Sequence, residues 1–171
     1  MNQQHVSIGL INPKSATNVG AVLRAAGCYG ASSIFYTGER YTRAKAFNAD
    51  TKAVHKTIPA QGVGFILEGK QPGAKVVAVE LAEGATPLPE YNHPLNAYYI
   101  FGPEDGSIPK GVLQQCDDVV YVPTQGCMNL AATVNVVLYD RLAKSDYDAS
   151  DELIKASRDK NNRLKFAPQR R

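Results

Sequence analysis

Apolar positions fall in short runs along the chain, separated by polar or Gly- and Pro-containing breaks. Residues 6–11 (VSIGLI) form a β-branched apolar run, the pattern of a strand buried on both faces. Asn12-Pro13-Lys14-Ser15 interrupts it. Val19, Val22, Leu23 and Ala26 then recur at helical spacing over 19–29, with Thr17 or Asn18 as the expected cap and Gly30 as the stop. Residues 33–36 read as a second strand. The chain therefore opens on a β-α-β unit, which argues for a parallel sheet. Residues 37–58 are polar, with weak helical character over 41–53, and 59–68 suit a short helix. Further strands are expected at 75–79, 97–101 and 118–122, with a short helix at 108–115 carrying Pro109 in its first turn. A clear helix covers 129–143, where Leu130, Val134, Val137, Leu138 and Leu142 lie on one stripe.

This pattern predicts an α/β domain over residues 1–145, a mostly parallel sheet with helices on both faces. A basic, flexible tail follows at 146–171, with a marginal helix at 149–157. Ligands of such sheets bind beyond the carboxyl ends of the strands, so chemistry is expected just after Ile11, Val79, Phe101 and Val122.

Composition narrows the class. A chain of 171 residues with 44% hydrophobic and 20% charged positions suits one ordinary globular domain. No apolar run approaches the ~18 residues of a membrane span, and the first residues lack the basic-then-apolar order of a secretory signal. No membrane association and a cytoplasmic location are the expectations. Cys28, Cys116 and Cys127 offer neither a disulfide framework nor zinc spacing, so no metal is expected. Cys28 and Cys116 read as small buried residues.

The net charge of +3 says little, but its distribution says more. Arg40, Arg43, Lys45, Lys52 and Lys56 face a single Asp50 in sequence, and seven basic residues of 155–171 face only Asp159. Two such clusters favour a nucleic-acid partner. With the first strand starting at Val6, recognition is expected from the domain's own surface, over 40–56 and the tail. No G-x-G-x-x-G follows the first strand and no G-x-x-x-x-G-K-[ST] occurs, which counts against dinucleotide enzymes and P-loop NTPases.

Three loops carry the unusual residues. The first, NPKSATNVGAVLR, holds Asn12, Asn18, Gly20 and Arg24 around a helix start, where free N–H groups suit a phosphate. The second, FGPEDGSIP, has two glycines, two prolines and a central Glu104. The third, VPTQGCMNL, leads into the last long helix. In order and spacing, Asn18-x-Gly20-x-x-x-Arg24, FGPEDGSIP and VPTQGCMNLAATVNVVLYDRL resemble the three motifs of the SpoU/TrmH family of SPOUT RNA methyltransferases. The resemblance spans 6–142.

That resemblance implies a deep trefoil knot in the C-terminal part of the sheet and a homodimer joined through the first and last helices. It implies S-adenosylmethionine (SAM) as cofactor, held by Val79, Phe101, Gly102, Val122, Cys127, Met128 and Leu130. It also implies transfer of a methyl group to a ribose 2′-hydroxyl of tRNA or rRNA, with Arg24, Asn18 and Asn129 as catalytic residues. Asn12, Arg40, Arg43 and Lys45 are the candidate RNA contacts. The chain departs from the family at Gly126-Cys127, where a basic residue and a serine are usual. Two rival readings follow: an RNA-binding protein of this fold without catalysis, and a SPOUT enzyme that methylates a base.

Overall fold

The computed structural model describes residues 5–45 and 58–166. Seven strands, β1 (Val6–Leu10), β2 (Ser33–Tyr36), β3 (Ala60–Gly62), β4 (Lys75–Val79), β5 (Thr86–Pro87), β6 (Ala97–Phe101) and β7 (Asp118–Tyr121), form one sheet. Its order is β3-β2-β1-β6-β4-β7-β5, and every pairing is parallel. The central strands β1 and β6 are buried throughout, which explains their unbroken apolar sequences. Their side chains divide by the period-two rule. Val6, Ile8, Leu10, Tyr99 and Phe101 face the helices α1 (Ala16–Tyr29) and α4 (Leu130–Ala143), which pack against one another. Tyr98 and Ile100 face a smaller core with Ile66, Ile108 and Val112. Among the described residues that second face carries short elements, the 3-10 turn Ile66–Gly69 and α3 (Lys110–Leu113). The described residues also form α2 (Arg40–Lys45), α5 (Asp151–Ser157) and a 3-10 turn at Leu88–Glu90.

The second core is built around Tyr98, fully buried, whose hydroxyl donates to the Ile66 carbonyl at 2.7 Å. Gly9 leaves room for it: a Cβ there would lie 2.5 Å from the Tyr98 hydroxyl and 2.8 Å from its ring. Gly9→Ala is expected to cost about 1–3 kcal/mol, the scale of overpacking a core, read as a lower denaturant midpoint at unchanged slope.

Local expectations fared unevenly. The first helix begins three residues earlier than its periodicity suggests. Its cap is Ser15, whose Oγ accepts from the Asn18 N–H at 3.2 Å, and not Thr17 or Asn18. Gly30 ends it in the left-handed region, φ 71°. The helix expected over 59–68 is instead β3 followed by a 3-10 turn, because pairing with β2 recruits Ala60–Gly62 to the sheet edge. Cys28 is exposed, not buried, since it shares the outward stripe of α1 with Ala21 and Arg24. Cys116 is half-buried, its thiol directed to the Val112 carbonyl. The helical turn expected near 149–157 is α5, and none of its residues is buried.

Candidate active site

The carboxyl ends of β4, β6 and β7 open into a cleft of about 750 Å3, counted out to its solvent-filled mouth. All seven residues expected to hold the cofactor line it: Val79, Phe101, Gly102, Val122, Cys127, Met128 and Leu130. It also takes in Glu80, Glu104, Tyr121 and Thr133. Gly102 sits where a side chain would be crowded, since a Cβ would come within 3.1 Å of the Ile108 nitrogen. Glu80, one residue past β4, accepts the Ile108 N–H at 2.8 Å and the Leu81 N–H at 3.0 Å, bracing the far side of the second loop. Sequence reasoning missed Glu80; its signal was an acidic residue directly beyond a strand's carboxyl end.

Two amides and a carboxylate join the three motif loops. Asn129 caps α4, its Oδ1 accepting from the Ala131 and Ala132 N–H groups at 2.9 and 3.2 Å. Its Nδ2 donates to Asn18 Oδ1 at 3.1 Å, and Asn18 Nδ2 donates to Glu104 Oε1 at 3.1 Å. Glu104 also accepts the backbone N–H groups of Lys14 at 2.8 Å and Ser15 at 3.2 Å. The start of α1 at Ala16 makes this possible, because Asn18 is then inside the first turn with its side chain free to turn outward.

Partial burial alone would raise the Glu104 pKa, but the hydrogen bonds from Lys14, Asn18 and Ser15 outweigh it and hold the carboxyl below its ordinary value. Glu104 is therefore an ionised brace with its oxygens occupied, not a general base. A carboxylate with a depressed folded pKa adds stability that is present above its unfolded value, about 4.3, and lost as pH falls through the folded pKa. Acid titration followed by denaturation is expected to show this loss below about pH 4.3, and Glu104→Gln to flatten that part of the profile.

Arg24 lies elsewhere. It is exposed on α1, six residues beyond Asn18, which sets it about 9 Å along the axis and about 120° round it. It does not line the cleft of its own chain. Of the candidate RNA contacts, Asn12 is half-buried in the left-handed region at φ 43°. Arg40 forks onto Asp105, and Arg43 pairs with Glu39 in an exposed i,i+4 contact. The backbone of Lys45 ends α2, while Lys52 and Lys56 lie outside the described residues. Among the described residues no group of three or more His, Cys, Asp or Glu is placed to hold a metal, and no helix is long and apolar enough to cross a membrane.

A parallel seven-stranded sheet with a cleft built from three loops at the carboxyl ends of its inner strands defines the class. Residues 5–139 match the SpoU rRNA Methylase family, and the chain belongs to that family. It is 25% identical over 150 residues to the 23S rRNA (guanosine-2′-O-)-methyltransferase RlmB of Acinetobacter baylyi, covering 81% of this chain and 60% of RlmB. The chain thus spans less than two thirds of that relative. Solved structures share the fold. One, described as structural insights into the 2-OH methylation of C/U34 on tRNA, aligns with TM-score 0.70 and 23% identity, over 84% of this chain and 92% of that one. The SpoU methyltransferase AviRb from Streptomyces viridochromogenes, in complex with the cofactor AdoMet, aligns with TM-score 0.65 and 17% identity, over 82% and 58%.

Proposed function

We propose that this chain is a SAM-dependent RNA methyltransferase that modifies a ribose 2′-hydroxyl of tRNA or rRNA and acts as a homodimer. The observation that carries the reading is a cleft lined by the second and third motif loops, to which the first motif is tied by the chain of hydrogen bonds Asn129–Asn18–Glu104. The residues present fit the cofactor. Gly102 leaves the strand end open for close backbone approach. The N–H groups of Cys127, Met128 and Leu130 donate to no acceptor among the described residues and belong to the cleft wall, ready for a polar ligand. The apolar faces of Val79, Phe101 and Leu130 suit an adenine ring. The C-terminal part of the sheet is proposed to carry the trefoil knot of this family.

When bound, SAM supplies an electrophilic methyl group on a sulfonium. The chain's residues must then bring the ribose oxygen into line and stabilise it as its proton leaves. A guanidinium has no lone pair to take that proton, which passes to solvent; that of Arg24 stabilises the developing oxyanion and grips the neighbouring phosphate. Because Arg24 faces away from its own cleft, it is proposed to serve the cleft of a second copy. The outward stripe of α1 holds small residues, Gly20, Ala21 and Cys28, beside exposed Tyr139 and Leu142 of α4, a surface suited to a close helix-to-helix contact. Asn18 and Asn129 hold the loops that frame the acceptor. Cys127 lines the cleft with a thiol in place of the usual hydroxyl.

Calorimetry with SAM, followed by nucleoside analysis of methylated tRNA and rRNA, tests the reading. SAM binding and a 2′-O-methylated nucleoside are expected. No SAM binding would leave an RNA-binding protein of this fold, and a base-methylated product would move the target to a ring nitrogen.

A further inference from the structure

The guanidinium of Arg40, the first residue of α2, is engaged at all three nitrogens. Nη1 donates to both Asp105 oxygens, at 2.7 and 3.0 Å, and Nη2 to Asp105 Oδ1 at 3.0 Å. Nε donates to the Asn12 carbonyl at 3.1 Å, and Nη2 reaches the same oxygen. Asn12 is fixed in turn: its N–H donates to Thr37 Oγ1 at 3.1 Å, and it packs against Gly38, whose φ of 76° and missing side chain make the space. One side chain therefore ties together the turn after β1, the start of α2 and the second motif loop. Asp105 directly follows Glu104, and Gly102, Glu104 and Gly106 line the cleft.

We propose that Arg40 and Asp105 form a clamp that sets the cofactor loop, so that Arg40 is a positioning residue and not an RNA contact. An isolated exposed ion pair contributes little, but a bidentate arginine fork shared with a backbone carbonyl is the geometry in which such a pair matters. A guanidinium already satisfied on three sides is poorly placed to take a phosphate. Lysine is no substitute, because one ammonium cannot hold Asp105 and the Asn12 carbonyl in the same plane. The clamp joins the cleft to α2, whose following segment carries the basic residues Lys52 and Lys56. The role in cofactor binding rests on the proposed function; the role in ordering the loop does not.

The test uses the full chain with Arg40→Gln, Asp105→Asn, their combination, and Arg40→Lys. Hydrogen exchange reads the Gly106 and Ile108 amides, which donate to Pro103 and Glu80. Calorimetry reads SAM, and a binding assay reads RNA without cofactor. Both single variants are expected to speed exchange and weaken SAM binding alike, by about tenfold, and the double variant to be no worse than either. Arg40→Lys is expected to fail as a rescue, and RNA affinity to be unchanged throughout. Unchanged exchange, or RNA binding weakened by Arg40→Gln but not by Asp105→Asn, overturns the clamp. If the parent chain binds no SAM while exchange follows the expected pattern, the clamp stands and the methyltransferase reading falls.

Discussion

Arg24→Ala is expected to lower methylation of RNA by about a hundred- to a thousandfold, the cost of removing one donor aimed at a developing oxyanion. Folding and SAM affinity should be untouched. Arg24 is exposed on α1 and makes no contact with the cleft wall, so its loss leaves neither a cavity nor an unsatisfied partner. Single-turnover kinetics with saturating SAM would measure it. Undiminished activity would remove Arg24 from the site.

Gly102→Val is expected to weaken SAM binding by at least about a hundredfold, the scale of displacing a bound group by an ångström. A Cβ at this position already lies 3.1 Å from the Ile108 nitrogen and 3.3 Å from its side chain. Two further methyls must enter the cleft or push the loop outward. Calorimetry reads the effect directly, and Gly102→Ala should give a smaller loss of the same kind. The two variants also test one another. In the proposed dimer, mixtures of Arg24→Ala with Gly102→Val should regain activity, because an intact cleft on one copy would meet an intact arginine on the other. Inactive mixtures would place Arg24 in its own chain's site.

The inner strands and the two long helices were legible because burial on both faces, or on one stripe, writes itself into local sequence. Residues 6–11, 97–101 and 129–143 each carry that pattern in a single window. The sheet's outer strands do not. Ala60–Gly62 has no periodicity and Thr86–Pro87 is two residues long, so both exist only through their partners β2 and β7. Cys28 misled for the opposite reason. A small residue on a helix says nothing of which side faces out, and here the outward side is the one kept small.

The cleft was legible in the second and third motifs, and all seven residues assigned to it line it. What joins those motifs was not. Asn129 reaches Asn18, and Asn18 reaches Glu104, across most of the chain's length. A lone glutamate in a turn carries no sign of such partners. Arg40 shows the same limit, since a basic residue in a basic stretch reads as free until its acid is located 65 positions away.

The strand order has a kinetic consequence. β1 pairs on one side with β2, close in sequence, but on the other with β6, with Val6 against Ala97. A chain emerging during synthesis can close the first pairing early, yet the opposite edge of β1 waits, unpaired and apolar, until Phe101 has been made. Non-local parallel pairing of this kind slows folding and leaves a sticky edge exposed meanwhile. Refolding yield should therefore fall with protein concentration well before native stability does, and the cleft, whose walls include β6 and β7, should be among the last features to acquire protection.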